Sequence, residues 1–207
     1  MKKLYVKLSE CELNLLKNYA QKSGAKTYRK SIEKLIEEDA VSILCIISAI
    51  EKNLRKTAVN YRQMKHYIQS ADPTFDKQIT DVIYPAIQDI SAFTSSVLCN
   101  IQRGVNDRFE VQIRIEDDTK ETLKQMKKSG CFRTYDALLR FMLTTRFEVK
   151  DIDTLESSFS IVRNVGHLFN RTAHLYNTNH CVDISELMMI MPKYKHAINV
   201  VVGAIGG

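Results

Sequence analysis

The sequence predicts a mainly α-helical protein carrying one short two-stranded antiparallel β-ribbon, and three observations lead there. Two runs alternate apolar and polar residues as half-buried strands do: KLYVKLSE from Lys3 and RFEVQIRIED from Arg108. Each is followed by two stretches of helical spacing divided by a similar turn, SGAKTYRKSIEKLI from Ser23 and SGCFRTYDALLRFM from Ser129. Seven Gly and three Pro in 207 residues leave few helix breakers, so long helices are expected.

In the first run, Leu4, Val6 and Leu8 fall on one side, and Lys3, Tyr5 and Lys7 on the other. The period changes at Ser9, which with Glu12 fits a capping box: the hydroxyl takes an orphan amide and the carboxylate answers three residues on. Leu13, Leu16 and Ala20 give the apolar stripe of a helix, and Gly24 is its natural stop. Thr27 caps a second helix, with Ile32, Leu35 and Ile36 inward. The second copy reads the same way. Phe109, Val111, Ile113 and Ile115 form the inner face of the strand, and Arg108, Glu110, Gln112 and Arg114 the outer. Asp117 or Asp118 can cap a helix holding Leu123 and Met126, and Gly130 stops it. Thr134 caps the last helix, with Leu138, Leu139 and Met142 inward. Lys7 matches Arg114, but aligning the two turns on their Ser-Gly pairs requires unequal loop lengths, one residue before the turn and one after it.

The duplication continues into AIEKNLRKTAVNYRQMKHYI and SIVRNVGHLFNRTAHLYN, where Leu54-Arg55 matches Val162-Arg163, Tyr61 matches Phe169 and His66 matches His174. Each copy ends in another helix. The first spans about 74–101, with Pro85 as a kink or break, and the second about 183–205, interrupted at Pro192. QRGVND joins the halves. The expected organisation is a strand–helix–helix unit at 1–40, its helical extension at 41–104, a second unit at 105–148 and its extension at 149–207. The two strand–helix–helix units form one domain, and the long helices form a bundle. Neither unit can bury a core or satisfy its strand edges alone. Paired antiparallel, the strands leave Lys3, Tyr5, Lys7, Glu110, Gln112 and Arg114 on one outer face.

Strand, helix, helix, with basic and amide side chains outward and a turn running from Gly to Thr before the second helix (Gly-x-x-Thr in the first copy, one residue longer in the second), resembles the ribbon-helix-helix family of DNA-binding proteins. The resemblance covers residues 2–40 and 108–148 and occurs twice, so one chain can build a ribbon that most members build from two. It implies a duplicated ribbon-helix-helix core reading double-stranded DNA in the major groove, where alternate strand side chains reach base edges. Arg114 and Lys7 can donate to guanine, and Gln112 can pair with adenine. Glu110 can accept from cytosine or repel a phosphate, and Tyr5 can touch a thymine methyl or a phosphate. Thr27, Tyr28 and Arg29, with Arg133, Thr134 and Tyr135, sit where the second helices would grip phosphates. Outward Lys, Arg and Gln on one strand ordinarily mark a solvated face; two matched copies favour DNA contact. Because the two strands differ, the expected site is an imperfect palindrome or has no two-fold symmetry.

VRNVGHLFNRTAHLYN resembles a segment of the MobC-type auxiliary proteins of plasmid mobilisation. Arg163, Gly166, Phe169, Asn170, Ala173 and Asn177 fall in matching places. His167 and Leu168 stand where Asn is usual, Arg171 replaces Gln and His174 replaces Arg. Membership would imply a relaxosome accessory protein that binds an origin of transfer and assists a separate relaxase. Val162, Val165, Phe169 and Leu175 would pack, leaving Arg163, Asn170, Arg171 and His174 outside for DNA or a partner. A transcriptional repressor with the same core is the alternative, and the long helical tails argue against it. A third reading makes the ribbon a protein-interaction module.

A net charge of +6 suits an anionic partner, although mildly basic proteins are common. No apolar run reaches membrane length and no secretory signal opens the chain, so a cytoplasmic protein is expected. Cys11, Cys45, Cys99, Cys131 and Cys181 are odd in number and form no CxxC, which argues for reduced thiols, several of them buried. His167, His174, His180 and Cys181 match no metal-site spacing. With no P-loop, GxGxxG or GxSxG, the expectation is no enzyme, no cofactor and no metal.

Overall fold

The structure, a computed structural model, describes residues 2–102, 108–145 and 152–205. It is mainly helical, with a two-stranded antiparallel sheet. The order is β1 (Lys2–Ser9), α1 (Glu10–Lys22), α2 (Tyr28–Glu37), α3 (Ala40–Ala71), α4 (Pro73–Gln102), β2 (Arg108–Ile115), α5 (Asp117–Ser129), α6 (Tyr135–Thr144), α7 (Ile152–Asn179) and α8 (Ser185–Ile205). The chain divides into two compact units, residues 1–45 with 95–147 and residues 46–94 with 148–207, and the divisions fall inside α3 and α4. Apart from Gln102, the QRGVND joint lies outside the described residues, as does the side chain of Arg108.

In the first unit β1 pairs with β2 in a register that sets Lys3 opposite Arg114, Tyr5 opposite Gln112 and Lys7 opposite Glu110. Alternation then sends Leu4, Val6, Leu8, Ile113 and Ile115 into the core, where all five are buried. Phe109 departs from the expectation. It has the inward parity, but it lies near the start of β2 and is 53% exposed. The second helix of each segment packs on the strand of the other, α2 on β2 and α6 on β1, so the two segments share one core. Leu16, Ile32, Leu35, Leu123, Leu138 and Met142 fill it.

The caps follow from local chemistry. The Ser9 hydroxyl accepts from Glu12 N–H at 3.2 Å, and Glu12 Oε2 accepts from Ser9 N–H at 2.7 Å, completing the capping box. The Thr27 hydroxyl accepts from Lys30 N–H, and Thr134 from Ala137 N–H. The start of α5 is a correction. Its N-cap is Glu116, without a side-chain cap bond, and Asp117 and Asp118 lie within the first turn, where their charges suit the helix dipole.

The turns correct the Ser-Gly alignment as well. Helix α1 ends in a Schellman motif, with Ala25 N–H on Ala20 O at 2.9 Å and Gly24 N–H on Gln21 O at 3.2 Å. Helix α5 ends identically, with Phe132 N–H on Lys127 O at 2.9 Å and Cys131 N–H on Lys128 O at 3.2 Å. The left-handed residue is Gly24 (φ 67°) in the first turn and Cys131 (φ 56°) in the second. The segments thus match residue for residue without loop shifts. Gly130 is needed for room: a Cβ there would stand 2.2 Å from the Phe132 ring.

In the second unit the remainder of α3 and α4 lies with α7 and α8. Leu54 and Val162 are buried, as are Tyr61 and Phe169, in keeping with their matching places in the sequence. Tyr61 donates its buried hydroxyl to Asp76. Pro85 and Pro192 sit inside α4 and α8, which continue through them. All five cysteines are free; four are exposed and Cys45 is half-buried, so the expectation of buried thiols fails.

Candidate nucleic-acid interface

The outer face of the ribbon carries the six predicted side chains, all exposed: Lys3, Tyr5 and Lys7 from β1, and Glu110, Gln112 and Arg114 from β2. Lys3 and Glu110 hold equivalent places in the two segments, as do Lys7 and Arg114. A local two-fold axis therefore passes between Tyr5 and Gln112, where Gln112 Nε2 lies 3.5 Å from Tyr5 Oη. Tyr5, 54% exposed, stands at the centre of the face with its ring in solvent.

The two ends of this face differ in charge. At one end Lys3 lies opposite Arg114, two cations side by side. At the other, Lys7 lies opposite Glu110 and the charges cancel. The flanking helices follow the same polarity. A shallow cleft beside Arg114 is lined by Thr27, Tyr28, Arg29, Lys30 and Gln112, which places the α2 N-terminus at the cationic end. At the other end the carboxylate of Asp136, in the first turn of α6, accepts from the main-chain N–H of Lys7 at 2.9 Å. Asp136 occupies the place that Arg29 holds in α2. Arg29 itself bridges Glu33 at 2.9 Å and Glu116 at 2.6 Å.

Of the predicted phosphate-contacting residues, Thr27 and Thr134 spend their hydroxyls on capping, so their contribution would come from first-turn amides. Tyr28 and Tyr135 are half-buried beside them, with the Lys127 ammonium 5.0 Å from the Tyr135 ring centre. Arg133 is exposed before the α6 cap. Sequence reasoning missed Lys26 and Lys30, both exposed around the α2 cap, and the acidic Asp136. The signal was present in the turn itself, where KTYRK reads against RTYDA.

Beneath the ribbon the Arg140 guanidinium and the Glu12 carboxylate form an ion pair whose side chains are about as buried as the core. Burial opposes ionisation of Glu12, but the Ser9 amide and the Arg140 charge outweigh it and hold the carboxyl below its ordinary range.

Arg163, Asn170, Arg171 and His174 are all exposed on α7. Arg171 pairs with Glu186 of α8, while Asn170 lines a groove against α3. Among the described residues no helix is long and apolar enough to cross a membrane, and no three His, Cys, Asp or Glu gather as metal ligands would. No family model matches the chain, and neither a curated protein nor a solved structure matches it.

Proposed function

We propose that the first unit is a duplicated ribbon-helix-helix core that reads double-stranded DNA in the major groove. The observation that carries this reading is the ribbon's outer face: six exposed side chains in two-fold register, flanked by the Thr-capped starts of α2 and α6. A two-stranded ribbon has the width of the groove, and Arg, Lys and Gln are the side chains that read base edges. The uneven charge adds a direction. Lys3, Arg114, Lys26 and Lys30 would bind one half of the site tightly, while Lys7 and Arg133 share the other half with Glu110 and Asp136.

The wider role is an accessory factor at an origin of transfer, in the cytoplasm, working beside a separate relaxase. The MobC-like pattern on α7 supports this over a repressor, as does the share of the chain, about half, given to the second unit.

Selection from random DNA duplexes at two salt concentrations tests the reading. Expected is a site with one half more sharply defined than the other, lost in the Lys7→Ala/Arg114→Ala double variant. Replacing Lys26 and Lys30 by Ala should lower the salt slope by about 2, and replacing Arg133 by about 1. A perfectly two-fold symmetric consensus, or binding without preference that the ribbon variant shares, overturns it.

A further inference from the structure

A groove of about 770 Å³ opens between α3 and α7 within the second unit. Gly166 sets its floor: a Cβ there would stand 3.1 Å from Thr57 Oγ1, so the helices make a close approach at that residue. Lys52, Lys56 and Asn60 line one wall, and His167 and Asn170 the other. Residues 52, 56 and 60 are each one turn apart and form a row along α3. Among the described residues none of these five side chains makes a hydrogen bond or ion pair. Glu51, which also lines the groove, is already engaged: it accepts from Arg55, Ser91 and Thr94. Burial works against its charge, and these three donors restore it, leaving the carboxyl below its ordinary range. The groove therefore presents two uncompensated ammonium groups and two unpaired carboxamides.

We propose that this groove holds an extended acidic segment of a protein partner. A primary carboxamide offers a donor and an acceptor together, the pair that an extended main chain needs; a phosphodiester backbone offers acceptors only and would leave the Asn carbonyls unpaired. The lining includes no Phe, Tyr or Trp on which bases would stack. Lys52 and Lys56 supply charge complementary to Asp and Glu, and Val59, 53% exposed in the same lining, offers contact to an aliphatic side chain. This reading does not depend on the ribbon's binding DNA.

Fluorescence anisotropy on the full chain tests it, with a labelled peptide of alternating Glu and Leu as probe, its Gln–Leu counterpart, and a labelled oligothymidylate. The Glu–Leu peptide should bind, and the Lys52→Gln/Lys56→Gln variant should weaken it about five- to tenfold. The Asn60→Ala/Asn170→Ala variant should weaken it about threefold or more. Substituting Lys3 and Arg114 by Gln should leave peptide affinity unchanged, which separates this result from the fate of the DNA reading. The five lining side chains are exposed or half-buried, so the variants should keep the wild-type circular dichroism. The proposal is overturned if the wild type binds the Gln–Leu peptide equally well or binds neither peptide. It is overturned too if the lysine variant binds like wild type, or if oligothymidylate alone binds and is weakened by the groove substitutions.

Discussion

The two strand–helix–helix segments place different side chains at the same stations of one backbone path. Gly24 stands against Cys131, Arg29 against Asp136, Glu12 against Thr119 and Glu33 against Arg140. The strand register, the Thr caps and both Schellman turns survive these exchanges. The path thus depends on a few local signals: alternation, two hydroxyl caps and one left-handed residue per turn. The side chains at other stations differ, so that the two-fold frame carries a cation pair, Lys3 with Arg114, toward one end and an opposite-charge pair, Lys7 with Glu110, toward the other.

Breaking the buried pair gives the largest expected contrast. Arg140→Ala strands the Glu12 carboxylate in the core and should cost about 3–5 kcal/mol in urea unfolding. Glu33→Ala, at the equivalent station, removes a partly exposed carboxylate and should cost less than about 1 kcal/mol. Equal losses would mean that the two stations carry the same load.

The turns come next. Gly130→Ala drives a methyl into the Phe132 ring and should cost about 1–3 kcal/mol. Ser23, its counterpart, already carries a side chain there. At the left-handed station the effects should have opposite signs: Gly24→Ala should destabilise by about 1 kcal/mol, and Cys131→Gly should stabilise by up to about 1 kcal/mol. Thermal unfolding of the three variants checks both stations.

The smallest contrast is in pH. Glu12 has a folded pKa below its unfolded value near 4.5, so its stabilisation is complete above that value and is lost as pH falls through the depressed one. Thr119 has no counterpart effect. The stability gap between wild type and Glu12→Gln should therefore narrow as pH is lowered from about 6 to about 3. A constant gap would show that the ionised form of Glu12 adds nothing.

Much of this frame was legible because its signals are local. Leu4, Val6 and Leu8 announce a strand within five residues, and Ser9 with Glu12 announces a helix start within four. What was misread depends on contacts that sequence spacing does not carry. Gly130 looks like the left-handed residue, yet its role is to leave room for a ring two positions on. Arg140 carries no local signal of its role, because its partner Glu12 lies far away in the sequence. Phe109 has the inward parity and is nevertheless 53% exposed, while Leu8 opposite it is fully buried, a difference that parity does not carry. For the candidate interface, the six ribbon residues follow from parity alone. The polarity does not, because it emerges only when the antiparallel register brings Lys3 to Arg114 and Lys7 to Glu110.

Among the described residues β1 pairs only with β2, and this has a consequence in time. The strands close a loop on the order of a hundred residues, a contact of high sequence separation that forms late and slowly. As the chain leaves the ribosome, β1 emerges with two open edges and waits through the synthesis of α1 to α4 before its partner exists. Once closed, the ribbon is intramolecular, so dilution cannot take it apart as it would a ribbon shared between two chains.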